Sequence, residues 1–203
     1  MAAMNKPMRS SSLALIAPMV FFGLGVLGFG YYFAMPGMEG PFKDNMVPEL
    51  IGFCLEGFFM VGLLSLLQSS RERAHKRELW LSLRGSVRGI LSALDLALLP
   101  ANAAPASTLT LEQDPKVVRR FMRELQSIHL ELSGMLALKR EAIDALGLVR
   151  DMIPIAAQLS ARHMRWWIAI VDSMRHLSQA QTREALEQSI YKLLENLEEF
   201  DRV

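Results

Sequence analysis

Hydrophobic positions follow two different rhythms along this chain. From Leu13 to Met35 (23 residues) no position is charged, and from Val47 to Leu67 (21 residues) the only charges are Glu49 and Glu56. Each run matches the ~20 residues with which a helix crosses ~30 Å of hydrocarbon. Beyond Ser70 the apolar residues recur three or four positions apart between polar ones, the period of a helix that buries one face. The pattern predicts an all-α protein: a two-helix transmembrane hairpin followed by a cytoplasmic antiparallel helical bundle with coiled-coil-like seams. The expected segments are a cytoplasmic tail over 1–12, transmembrane helix 1 over 13–35, a non-cytoplasmic turn over 36–46, transmembrane helix 2 over 47–68 and a helical domain over 69–203 with an internal loop at about 100–113.

Local chemistry supports the hairpin. Pro36-Gly37-Met38-Glu39-Gly40-Pro41 supplies turn residues, and Pro48 fits the first turn of a helix, where its missing N–H is harmless. A signal peptide is the competing reading of the first run, because Lys6 and Arg9 precede it. The run is longer than a typical h-region, and no A-x-A-like cleavage site follows. Lys6 and Arg9 before the first span and Arg71, Arg73, Lys76 and Arg77 after the second outweigh Lys43 in the turn, which places both termini in the cytoplasm. Tyr31, Tyr32 and Phe33 stand where aromatic rings anchor a span at the interface. The expected location is a bacterial inner membrane.

In the polar region the first stripe is Trp80, Leu83, Val87, Ile90, Leu94 and Leu98, a helix that continues from the second span. Asp114-Pro115 is a helix start, an acidic N-cap followed by an N1 proline. Val118, Phe121, Leu125, Ile128, Leu132 and Met135 form the next stripe, with Ser133-Gly134 a weak point and Pro154 an interruption. Whether 114–160 is one kinked helix or two is left open by the pattern. Leu159, His163, Trp167, Ile170, Met174 and Leu177 make another stripe. The last is Leu186, Ile190, Leu193, Leu197 and Phe200, after a break at Ser178 to Thr182.

Composition alters this picture little. The chain has 203 residues, 51% of them hydrophobic, and a net charge of +1. Of its 22 Lys and Arg, 19 lie in 71–203, together with 17 of its 21 Asp and Glu, so the helical domain is nearly charge-balanced. The basic residues Arg71, Arg73, Lys76 and Arg77 hug the span, as a topology-fixing cluster that meets lipid headgroups does, and nucleic-acid binding is not expected. Cys54 is the single cysteine, which excludes an internal disulfide or thiolate metal site. No cofactor or metal is expected: Glu124, His129 and Glu131 lack the Glu-x-x-His spacing of a di-metal bundle. No zinc-protease, phosphate-loop or nucleophile-elbow motif occurs either, so the chain reads as a non-enzyme.

Glu56 is the most informative position. An acid at mid-span costs roughly 2.5–3.5 kcal/mol on insertion scales, and neither span holds a Lys, Arg or His to offset it. Its compensation is a bound proton, another subunit's polar group, a lipid or ion, or water in a pathway. Glu49, Gly52 and Glu56 share one helical face and form the expected intramembrane contact or ion site. Gly23, Gly25, Gly28 and Gly30 are candidates for close helix packing. The adjacent rings of Trp166 and Trp167 point in different directions on a helix, so one of them is a candidate partner contact.

The glycines of the first span and the mid-span Glu56 of the second give residues 13–67 a pattern that resembles the rotor-ring subunit of rotary ATPases. That family's close glycine repeat and polar Arg-Gln-Pro turn are absent, and residues 69–203 have no counterpart in it, so neither a ring nor proton transport is carried over. The function expected is a membrane accessory or scaffold subunit. Its hairpin docks with other membrane subunits or with copies of itself, and its helical domain binds a cytoplasmic partner or self-associates. The alternative is a small ion- or proton-conducting assembly or effector that uses Glu56.

Overall fold

The computed structural model describes residues 10–35, 40–99, 104–127 and 130–203, and every regular element among them is helical. The chain divides into two compact units, the first ending at Arg73 and the second running from Ala74 to Val203.

The first unit holds α1 (Ser10–Ala34), a π-helical turn at Phe42–Met46, and most of α2 (Val47–Ser86). The two helices are long and apolar enough to cross a membrane. They meet where a side chain is missing. A Cβ on Gly25 would lie 2.7 Å from Cys54 Sγ, and one on Gly57 would lie 2.5 Å from the Phe22 ring. Phe22 also meets Phe53 edge-on, with ring centroids 5.9 Å apart. Elsewhere these helices are bare: none of the apolar window of α1 is buried and only 6% of that of α2. Gly25→Leu should overpack this contact by about 1–3 kcal/mol. The measurement is alkylation of Cys54 by a membrane-permeant thiol reagent. Cys54 is buried in the native contact, so its reaction rate should rise several-fold in the variant.

In the second unit the end of α2 is joined by α3 (Arg88–Leu98), α4 (Thr108–Gln113), α5 (Lys116–Ser127), α6 (Leu132–Asp151), α7 (Ile153–Leu159), α8 (Ala161–Gln179) and α9 (Arg183–Arg202). One hydrophobic core is shared among them. The helix starts follow capping chemistry. Ser107 accepts from Thr110 N, Asp114 from Lys116 N, Ser160 from His163 N and Thr182 from Ala185 N. Between α2 and α3, Ser86 Oγ donates to Leu83 O and Val87 leaves helical geometry at φ −99°, ψ 5°. The apolar stripe runs through this break without a change of face: Leu83, Val87, Ile90 and Leu94 are all buried. Trp167–Phe200 and Ser173–Asn196 are both in contact, so α8 and α9 pair in opposite directions across the break at 180–182.

Four expectations change. The internal loop at about 100–113 contains α4, because Ser107 caps a turn that seats Leu111, 2% exposed, in the core. Residues 114–160 form α5, α6 and α7, with Pro154 in the first turn of α7. The stripe drawn through Leu132 and Met135 holds only in part: α6 begins at Leu132 after Glu131, which leaves Leu132 50% exposed, whereas Met135 is fully buried. Ile128 lies outside the described residues. Ser133-Gly134 is no weak point but the first turn of α6, where a Cβ on Gly134 would lie 2.9 Å from Ala97 Cβ. Glycine there lets α6 approach α3.

Candidate functional site

The acidic face of α2 comes first. Cys54 and Gly57 are turned toward α1, as the glycine contacts show. Glu56 is two residues beyond Cys54, about 200° around the helix, and it is exposed together with Glu49. Gly52 shares that side, and a Cβ on it would meet nothing within 4 Å. Within this chain the Glu49, Gly52 and Glu56 face is therefore separate from the contact with α1. The four glycines of α1 divide similarly. Gly25 is pressed on Cys54 and Gly23 lies against Phe58, whereas Gly28 and Gly30 meet nothing.

Around Glu56 the exposed surface of α2 is apolar: Phe53, Phe59, Met60 and Leu63 are 60–68% exposed. Further along the same helix Arg71, Arg73 and Arg77 are exposed and Lys76 is half-buried. The first two belong to the first unit and the last two to the second.

The tryptophan pair is resolved by burial. Trp167 is fully buried, its Nε1 donating to Val149 O at 2.9 Å and its ring 5.2 Å from that of Phe200. It is a core residue, which removes it from the candidate partner contacts. The indole is large and finds an acceptor at the C-terminal end of α6, so burial satisfies both its apolar body and its N–H. Trp166 is half-buried, with the Arg165 guanidinium 5.8 Å from its ring, and it keeps the candidacy.

The second unit also contains charge inside its core. Arg84 is fully buried. Its Nη2 donates to Leu111 O at 3.0 Å and Asp114 O at 3.4 Å, and its Nη1 lies 3.2 Å from Asp201 Oδ2. One guanidinium thereby joins the end of α2, the α4–α5 connection and the last turn of α9. The Asp201 side chain is 4% exposed, and neither of its oxygens receives a well-directed hydrogen bond. Burial accordingly pushes its carboxyl up to about 7, aided by Glu198 and opposed by Arg84 and Arg119. Burial also lowers Arg84 from its ordinary value, against the pull of Asp201 and Asp114.

Sequence reading missed this pair, although a signal exists: Arg84 is four residues after Trp80 and three before Val87, on the stripe itself. Asp95 was missed too. It accepts from Ala106 N at 2.6 Å and from Arg120 Nη2 at 2.7 Å, tying the segment before α4 and α5 to α3. Asn196 donates to Ser173 Oγ and Ala169 O, locking α9 to α8. Each of these polar groups fixes how helices meet.

His163 bonds Ser160 Oγ through Nδ1 at 2.7 Å and sets its ring edge on Phe200. Burial, with Arg162 adding, holds its pKa below the usual histidine value. It caps and packs α8. A groove of about 730 Å³ along α8 and α9 is lined in part by His176, Gln181, Tyr191 and Lys192. Two of its side chains are already engaged, His176 with Asp172 and Lys192 with Glu195. Among the described residues no group of three His, Cys, Asp or Glu side chains could hold a metal, and His129 lies outside them.

The site features therefore define an all-helical protein with two exposed helices long and apolar enough for a bilayer. The chain matches no protein-family model, no curated protein and no solved structure.

Proposed function

We propose that this chain is a non-enzymatic integral-membrane accessory or scaffold subunit of a bacterial inner membrane. In this reading α1 and the first part of α2 form a transmembrane hairpin with both termini in the cytoplasm. The Glu49, Gly52 and Glu56 face docks in a membrane complex, and the helical unit engages a cytoplasmic protein or another copy.

The observation that carries the reading is the exposure of the two apolar helices. A core helix of a water-soluble protein has its apolar window mostly covered, whereas these are 0% and 6% buried. Exposed apolar surface on this scale needs lipid or protein around it. The antiparallel order of the Gly25–Cys54 and Gly57–Phe22 contacts supports a hairpin, and the Arg71, Arg73, Lys76 and Arg77 cluster supports a cytoplasmic exit toward anionic headgroups.

Cysteine mapping in a Cys54→Ala background tests it. A cysteine at Gly40 should react with an impermeant maleimide from the non-cytoplasmic side, and cysteines at Ser70 and Val203 only after the membrane is opened. Labelling of Val203 from outside would reject the hairpin.

A further inference from the structure

The face of α2 that carries Glu56 is an apolar strip with one acid in its middle. Phe59, Met60 and Leu63 flank it and are exposed, and α1 is held along another side, through Gly25 against Cys54 and Gly57 against Phe22. On the proposed reading that α2 spans the bilayer, this strip faces lipid unless another helix covers it. Lipid is a poor neighbour for a mid-span carboxylate. The chain cannot supply the compensation from its own spans, since residues 10–35 and 47–67 contain no Lys, Arg or His. A second copy has the same deficit. Facing its twin across a two-fold axis, the strip would set Glu56 near Glu56 and Glu49 near Glu49, placing like groups where the contact is driest. Gly52, one turn before Glu56, leaves open backbone into which a neighbouring helix can settle.

We infer that the occupant of this face is a membrane helix of a different protein, carrying a Lys or Arg within about one turn of the level of Glu56. A cation brought to that depth by the partner is as unfavourable alone as an ionised Glu56 is, and each offsets the other. Such a pair fixes both partner choice and vertical register, because displacement by a turn strands both charges. This inference rests on the membrane-subunit reading above and names the chemistry of what that subunit docks with.

The test uses the full chain reconstituted in liposomes and labelled with a donor dye, probed with synthetic Leu/Ala helices of about 20 residues that carry an acceptor and a central Lys or a central Leu. The Lys helix should associate about ten-fold more tightly than the Leu helix. Glu56→Leu and Glu56→Gln should both bring it down to the Leu level, since Gln keeps the size and loses the charge. Equal binding of the two helices, or a Lys preference that survives Glu56→Leu, overturns the inference. Energy transfer between two labelled copies of the chain that Glu56→Leu abolishes, without a Lys preference, makes a second copy the occupant and also overturns it. Proton flux that Glu56→Gln removes, again without a Lys preference, replaces docking by conduction. Failure of the membrane reading itself shows separately, as release of the chain from the liposomes by alkaline carbonate.

Discussion

Trp167→Ala is expected to destabilise the helical unit by about 3–5 kcal/mol, whereas Trp166→Ala, one residue earlier, should cost less than about 2 kcal/mol. The contrast follows from burial. Trp167 is fully enclosed and is packed on Phe200, so truncation opens a cavity in the densest part of the core. It also removes the donor to Val149 O, leaving a buried carbonyl without that hydrogen bond. Trp166 packs on the core from its margin and is half-buried, so solvent and neighbouring side chains replace much of what it covers. Against a typical total of about 5–15 kcal/mol the first change is severe. The measurement is urea unfolding of the full chain in nanodiscs. All three tryptophans, Trp80, Trp166 and Trp167, lie in the second unit, so fluorescence of the two that remain reports that unit alone. Equal midpoints for the two variants would mean that the helical phase of α8 is wrong.

Arg84 and Asp201 carry the second large effect, and it depends on pH. The folded state raises the Asp201 carboxyl from 3.8 to about 7. Between these values the folded chain holds a proton that the unfolded chain releases. This contribution to stability is therefore fully present below about pH 4 and is lost as pH rises through about 7. Its full span is on the order of 4 kcal/mol at most. Other carboxylates titrate over part of the same range, so the quantity to measure is the difference between wild type and Asp201→Asn, which cannot ionise. That difference should move in favour of the variant from pH 4 to pH 8; a difference independent of pH would show that Asp201 stays ionised throughout. Arg84→Met strips Leu111 O and Asp114 O of their donor and leaves the acid buried, at roughly 3–5 kcal/mol near pH 8. The loss should shrink at pH 5, where Asp201 can be neutral. Arg84→Met combined with Asp201→Leu should recover most of the loss, because a buried ion pair replaced by apolar groups of similar volume is often neutral or stabilising.

Helical class, the two apolar helices and most core positions were legible from the chain alone. Apolar spacing reports which side of a helix is buried, and Leu83, Val87, Phe121, Trp167, Ile190, Leu193 and Phe200 are all enclosed as their stripes imply. Caps are equally local: Asp114, Ser107, Ser160 and Thr182 act within three residues of themselves. The places where spacing misled are those where helical phase is reset by a break that carries no Gly or Pro. The connection before α6 is such a break, which is why Leu132 was assigned to the buried stripe and is exposed, while the break at Val87 leaves its stripe on one face.

The sequence by itself therefore determined how much apolar surface each segment must hide, because hydrophobic period and run length are properties of single helices. It also set out the acid at Glu56 with no cation in either apolar run. Only the tertiary structure decided which surfaces meet. Gly25 and Gly57 are used against Cys54 and Phe22 while Gly28, Gly30 and Gly52 stay open, and composition alone does not separate these glycines. It also decided that Arg84 reaches Asp201 across more than a hundred positions of chain, and that Glu56 stays exposed beside α1. Long-range pairs depend on the relative placement of whole helices, set by the sum of many weak contacts. No local pattern encodes that sum.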